Sequence, residues 1–127
     1  MTIRFSKNER KISNNSIKAI LNKGEKLYSP SFKLIWTNRN YNNAIKIKLV
    51  TSVSKKKFKK AVDRNYIKRI IKESYLLCKP IIYKMINPPV NIILIYTHDN
   101  LPALDSLKTE LLTLLKLLSR KIHENTK

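Results

Sequence analysis

The spacing of apolar residues predicts both strands and helices in this chain. Residues 32–37 and 45–53 alternate between apolar and polar positions, a period of two that predicts two strands. We expect these strands to pair as an antiparallel hairpin across the polar residues 38–43. Residues 90–96 are apolar on both faces, which predicts a central strand covered on both sides. A series of leucines that begins at Leu104 and ends with Ile122, mostly at steps of three and four residues, predicts a final helix packed on the sheet.

The first helix has recognisable start and stop signals. Ser13 is a candidate N-cap, and Ile17, Ile20 and Leu21 form one apolar stripe behind it. Gly24, the only glycine in the chain, follows the last helical residue. We expect Gly24 to be a left-handed C-cap residue, because glycine adopts that conformation without steric cost.

A longer helix is predicted from Ala61 onward. At about 100° per residue its apolar positions gather on one side, and its cationic positions gather on the other. The apolar side comprises Tyr66, Ile67, Ile70, Leu77 and Cys78, and the cationic side comprises Arg64, Asn65, Lys68 and Lys72, with Arg69 at its edge. Pro80 is expected to break this pattern, residues 81–86 are either helical or merely packed, and Pro88 with Pro89 enforces a stop.

Charge is concentrated in the same part of the chain. The 127 residues carry a net charge of +19, of which residues 55–72, with nine Lys or Arg and one Asp, contribute +8. Basicity of this degree predicts a polyanionic partner, with RNA, DNA and an acidic membrane as candidates. The same charge can equally be a solvated face in a chain of biased composition. Only the order of the residues distinguishes these two interpretations.

Candidate catalytic chemistry is scarce. The eight acidic residues are scattered, and the single cysteine, Cys78, permits neither an intramolecular disulfide nor a four-ligand zinc set. We interpret Cys78 as a buried small hydrophobe, and the pair His98 and Asp99 as a turn or cap. The sequence shows no signal peptide and no apolar run long enough to span a membrane, so we expect a cytoplasmic protein with no membrane partner.

The order of residues around the basic helix resembles the bacterial ribonuclease P protein subunit. That family carries a serine-valine-serine-lysine-lysine strand end, here residues 52–56, and then a helix with alanine-valine, arginine-asparagine-arginine and lysine-arginine in that order. The helix is matched here by Ala61-Val62, Arg64-Asn65 and Lys68-Arg69. Tyr66 stands where the family usually has the second arginine. The segment before Gly24 also resembles the family, with Ile17 and Leu21 in place of its phenylalanines.

The resemblance implies a function and a set of contacts. It implies the protein subunit of a ribonucleoprotein endoribonuclease, whose partners are the catalytic RNA and precursor tRNA and whose RNA subunit cleaves off the 5′ leader with Mg²⁺ held mainly by RNA. It implies no catalytic or metal-binding side chain in the protein and no obligate protein partner. The residues expected to bind RNA are Lys55, Lys56, Lys57, Lys60, Arg64, Asn65, Lys68, Arg69 and Lys72, and the candidate leader or arm contacts are Arg4, Phe5, Lys7 and Trp36. For Trp36 alone, its strand spacing favours packing over base stacking.

The expected fold is an α/β (α+β) two-layer sandwich, a small mixed sheet packed by helices in the order α-β-β-(β)-α-β-α. The resemblance implies a left-handed β-α-β crossover, against the usual rule. We expect one RNA-binding domain over residues 1–127, with residues 1–12 as a basic arm and 123–127 as a short tail. Two alternatives stay open: a basic ribosomal or ribosome-assembly protein, and a sequence-specific DNA-binding protein, for which no helix-turn-helix pair or zinc site is present.

Overall fold

The structure is a computed structural model that describes residues 10, 12–38, 47–86 and 89–125. Within these residues three helices and four strands alternate in the order α-β-β-β-α-β-α. They are α1 (Asn14–Lys23), β1 (Glu25–Tyr28), β2 (Phe32–Asn38), β3 (Ile47–Val53), α2 (Ala61–Met85), β4 (Val90–Tyr96) and α3 (Leu104–Asn125). This order confirms the predicted fold class. The additional strand, bracketed in the prediction after the other two, is β1 and precedes them. Helix α3 extends three residues into the segment expected to be a tail.

The four strands form one mixed sheet in the order β1-β2-β4-β3. The predicted hairpin between β2 and β3 is therefore wrong. β2 pairs antiparallel with β1 and β4, whereas β3 pairs parallel with β4. The reason is that β4 is almost entirely buried and takes the central place, which moves β3 to the far side of it. Helix α2 supplies the long connection that a parallel β3–β4 pair requires.

The main core lies between the sheet and the two long helices. It includes Leu34 and Trp36 of β2, Leu49 of β3 and the apolar stripe of α3, from Leu107 to Ile122. Glu110 of α3 accepts hydrogen bonds from Ser29 Oγ and Ser31 N, so it ties the helix to the turn between β1 and β2. The leucine stripe is thus occupied by packing, as its sequence predicted.

Helix α1 covers the opposite face of the sheet. Ile20 packs on Ile35 and Ile93, and the Ser13 hydroxyl accepts a hydrogen bond from Ser16 N, which confirms the N-cap. Gly24 has φ −67°, so the left-handed C-cap prediction is wrong. Glycine is required there by space: a Cβ would lie 2.6 Å from Ile35 Cγ2 and still closer to the Ile20 carbonyl oxygen.

The sequence predicted a break at Pro80, but helix α2 continues through Pro80 to Met85. Pro80 is exposed, so its ring lies toward solvent. The buried stripe drifts around the helix from Ile67 to Cys78 and Ile82, because the second half of α2 packs on α3. Leu77, predicted to be buried, is consequently 50% exposed.

Over the described part of the chain, no helix combines the length and the apolar character needed to cross a bilayer.

Candidate nucleic-acid interface

Residues 54–60, which we call the entrance loop, connect β3 to α2 and are held on the core. The Ser54 hydroxyl accepts hydrogen bonds from the backbone N–H groups of Lys56 and Lys57, at 3.2 and 3.3 Å. Phe58 donates its N–H to the Ser54 carbonyl, and its buried ring lies 6.1 Å from the ring of Tyr96. A buried aromatic and a serine-centred turn therefore fix the loop. The lysines at 55, 56, 59 and 60 are exposed around this anchor.

Lys57 joins the entrance loop to the end of β4. Its ammonium group donates to the Thr97 carbonyl at 2.6 Å and lies 3.1 Å from Asp99 Oδ1. The neighbouring His98 Nδ1 accepts a hydrogen bond from Asn100 N, at 3.1 Å. His98 and Asp99 therefore stabilise a turn, as the sequence favoured, and Lys57 is both a cation and a structural tie.

Arg64 closes the loop from the helix side. Its Nη1 donates to the carbonyl oxygens of Phe58 and Lys59, at 2.8 and 2.9 Å. A guanidinium carries further N–H donors, so Arg64 can contact a phosphate as well. Its position in the family motif is thus also a structural one, which the charge pattern alone did not reveal.

The cationic side of α2 is exposed as predicted. We call Arg64, Asn65, Lys68, Arg69 and Lys72 the signature face, and all except half-buried Arg64 are exposed. Arg69 Nε lies 4.0 Å from Glu73 Oε1, a surface pair that leaves the Arg69 side chain 65% exposed. These side chains stand on one face of a rigid helix, an arrangement suited to a phosphodiester backbone.

Tyr66 has turned away from the signature face. Its hydroxyl donates to the Pro102 carbonyl at 3.1 Å, and its ring packs against the main core. The Arg69 guanidinium carbon lies 5.4 Å from the centre of that ring. Tyr66, which stands at the motif position that is usually arginine, therefore contacts Arg69 and the segment before α3.

A groove of about 310 Å³ lies between the sheet and the signature face. We call it the β3 groove, and its lining is Arg10, Leu49, Val50, Thr51, Lys68 and Lys72. Two cations of the signature face thus form one wall, and the edge strand β3 forms the other. Arg10 and the β3 residues were not among the predicted contacts. Two features of the sequence could have indicated these contacts: the lysines that alternate with apolar residues in β3, and the basic residues before α1.

The remaining predicted contacts divide in two. Arg4, Phe5 and Lys7 lie outside the described residues. Trp36 is 3% exposed and faces the main core, so it presents no ring to a nucleotide.

Cys78 is likewise not exposed to a ligand. It is fully buried, its thiol is 3.8 Å from the Lys108 carbonyl, and burial raises the pKa of that thiol. Where the structure describes the chain, no three His, Cys, Asp or Glu side chains are grouped as a metal site would require.

Comparison with known proteins identifies the family. A sequence profile described as Ribonuclease P matches residues 5–119. The chain belongs to the ribonuclease P family.

Solved structures and curated relatives agree with this membership. The ribonuclease P protein of Staphylococcus aureus is 26% identical, with a TM-score of 0.68 over 87% of this chain and 94% of that one. That of Thermotoga maritima, 20% identical with a TM-score of 0.67 over 84% of this chain and 94% of that one, shares the fold. A ribonuclease P protein component of Porphyromonas gingivalis is 30% identical over 78 residues, 61% of this chain. The match spans 57% of that relative's length.

Proposed function

We propose that this protein is the protein subunit of ribonuclease P. In this role it binds the catalytic RNA subunit and the 5′ leader of precursor tRNA, and assists endonucleolytic removal of the leader. The whole chain acts as a single RNA-binding domain with residues 1–12 as a basic arm. The proposed substrate implies action in the cytoplasm.

The observation that carries the proposal is that the signature face and the β3 groove are contiguous. Lys68 and Lys72 belong to both surfaces. A helix of phosphate-binding residues beside a groove of mixed apolar and polar lining suits two RNA segments side by side, one structured and one single-stranded. The family match over residues 5–119 favours this function over a ribosomal role.

Electrostatics explains what such a subunit contributes. Catalytic RNA and precursor tRNA repel each other, and a compact protein with a net charge of +19 between them lowers that repulsion. The chemical step belongs to the RNA subunit, with Mg²⁺ held mainly by RNA. The protein favours substrate over product because only the substrate carries a leader.

The deciding experiment is cleavage of precursor tRNA at low Mg²⁺ by the cognate catalytic RNA, with and without this protein, and by the protein alone. We expect cleavage only when both subunits are present. Absence of rescue by folded protein would contradict the proposal and leave the ribosomal alternative in its place. Cleavage by the protein alone would contradict the assignment of catalysis to RNA.

The β3 groove is the proposed site of the 5′ leader, and this role can be tested separately with Val50→Glu, which places a negative charge there. Expected is a loss of the holoenzyme's preference for precursor over mature tRNA, with affinity for the catalytic RNA retained. Thr113→Glu, which places the same charge on the exposed side of α3, is the matched control. An unchanged preference in Val50→Glu would exclude this groove as the leader site.

A further inference from the structure

A second cationic groove lies far from the signature face. It has a volume of about 500 Å³ and separates the C-terminal ends of α2 and α3. We call it the C-terminal groove, and its lining is Lys84, Met85, Lys116, Ser119, Arg120 and His123. None of these residues belongs to the RNA-binding set predicted from the sequence.

The groove is built by packing between the two helices. Ser119 Oγ donates to the Met85 carbonyl at 3.1 Å, and His123 Nε2 lies 3.2 Å from the same oxygen. Ser119 is buried, so this contact fixes the floor of the groove. Lys116, Arg120 and His123 follow at i, i+4 and i+7 and therefore share one face of α3.

The cations around this floor are available to a ligand. Lys84, Lys116 and Arg120 are exposed, and among the described residues no ion pair is recorded for any of them. The acidic residue nearest in sequence, Glu124, lies 3.8 Å from Lys121 Nζ. Three closely placed cations over a polar floor favour an anion with several negative charges, and a phosphodiester backbone offers such a row.

The position of the groove determines which RNA can occupy it. Lys84 follows Lys68 by 16 residues of continuous helix, which is about 24 Å along the axis and about 160° around it. One straight RNA segment on the signature face cannot also reach the C-terminal groove. An RNA bound at both surfaces would therefore have to supply two separate segments.

We propose that the C-terminal groove binds the backbone of the catalytic RNA subunit at a second place, separate from the segment held by the signature face. This inference rests on the proposed function. It adds that the protein bridges two segments of one RNA.

The test compares three triple variants for binding to the cognate catalytic RNA over a range of salt concentrations. The groove variant is K84Q/K116Q/R120Q, and the signature variant is K68Q/R69Q/K72Q. The control, K18Q/K23Q/K26Q, removes the same charge from exposed positions on and beside α1. We expect the groove variant to bind at least about tenfold more weakly, with the slope of log affinity against log salt reduced by about 2 to 3.

The outcomes separate the two proposals. If the signature variant loses binding while the groove variant binds as well as the control, the second site is overturned and the proposed function stands. Undiminished binding in the signature variant would count against the proposed function itself. If the control loses as much as the groove variant, net charge explains the effect and the groove proposal fails.

One further measurement excludes a purely structural role. These cations lie near the C-terminus of α2, where they also favour the helix dipole, so the melting temperature of the groove variant is measured alongside. A lower melting temperature with unchanged binding would overturn the proposal.

The bound segments can then be mapped with an iron chelate attached to K68C or to K121C, since native Cys78 is fully buried. We expect cleavage of the catalytic RNA at two separate places. Cleavage at one shared place, or none from position 121, would contradict the bridge.

Discussion

At the scale of single residues, the proposed interface contains cations that also stabilise the protein's own structure. Lys57 and Arg64 both carry positive charge, and both hold the entrance loop through backbone carbonyls. Tyr66 occupies a position where the family usually has an arginine and uses its hydroxyl within the protein. A charge count treats all cations as equivalent. The structure distinguishes cations that hold the entrance loop by hydrogen bonds from cations that are only exposed on the surface.

Arg64→Lys tests this distinction because it keeps the charge and loses the forked geometry. Arg64 Nη1 alone donates to both loop carbonyls, and the shorter lysine side chain does not place its ammonium at the position of Nη1. Amide exchange in residues 54–60 is therefore expected to accelerate. RNA affinity is expected to fall by about 1 kcal/mol, roughly fivefold, with the same salt slope. Lys68→Arg is the control and should bind like the parent. Parent-like affinity in Arg64→Lys would show that only the charge matters.

Tyr66→Phe isolates the hydroxyl. The variant loses the hydrogen bond to Pro102 and keeps the ring under Arg69, so the free energy of unfolding should fall by about 1 kcal/mol. RNA affinity should not change. Urea denaturation and RNA binding are the two measurements. Tyr66→Arg should give no gain in affinity, and a gain would mean that position 66 still faces RNA.

At the scale of elements, the sequence predicted the positions of the helices and strands better than it predicted which strands pair. The N-cap Ser13, the period of two in β2 and β3 and the apolar β4 each reflect local rules, and all were correct. Strand pairing is not local, and the chain order of β2 and β3 suggested a hairpin that β4 prevents. The signature face followed from helical period, whereas the β3 groove required knowing which strand lies beside α2.

Gly24 illustrates a local rule that failed, because glycine is required there for space and not for a left-handed conformation. Its φ is within the ordinary range, so replacement does not strain the backbone, but a Cβ would contact Ile35 Cγ2 and lie 3.1 Å from the Trp36 carbonyl. Gly24→Ala should therefore lower the free energy of unfolding by about 1–3 kcal/mol, as overpacking does.

Asn22→Ala, at an exposed position of α1, is the control for the Gly24→Ala measurement and should be close to neutral. Denaturation in urea compares the two variants with the parent. A Gly24→Ala protein as stable as the parent would mean that α1 moves away from the sheet at little cost.

At the scale of the whole molecule, affinity for RNA should depend steeply on salt. With about six phosphates neutralised, the slope of log affinity against log salt is expected to be about −4 to −5. Titration of the cognate catalytic RNA between low and physiological salt measures this slope. A flat dependence would contradict phosphate binding by the signature face.

Stability should also depend on alkaline pH through Tyr96, which is buried where β4 ends. Burial first, and then the charge of Glu110, raise the pKa of Tyr96 to about 12 from an ordinary value of 10.0. The folded state therefore favours the neutral phenol, and this stabilisation is complete below pH 10 and is lost as the pH rises toward 12.

The measurement is the urea midpoint between pH 9 and 12 for the parent and for Tyr96→Phe, which should lose less stability over that range. Tyr28→Phe, which removes an exposed phenol, is the control. Equal losses in Tyr96→Phe and the parent would exclude Tyr96 as the source.

The parallel pairing of β3 with β4 has a consequence for synthesis of the chain. Ile47 pairs with Val90, so the two strands come together only after the whole of α2 has been made. β2 likewise gains its second neighbour from β4, and the core closes when α3 packs. Contacts so distant in sequence form late and slowly. The cationic helix is thus synthesised before β4 and α3, which complete the core against which it packs.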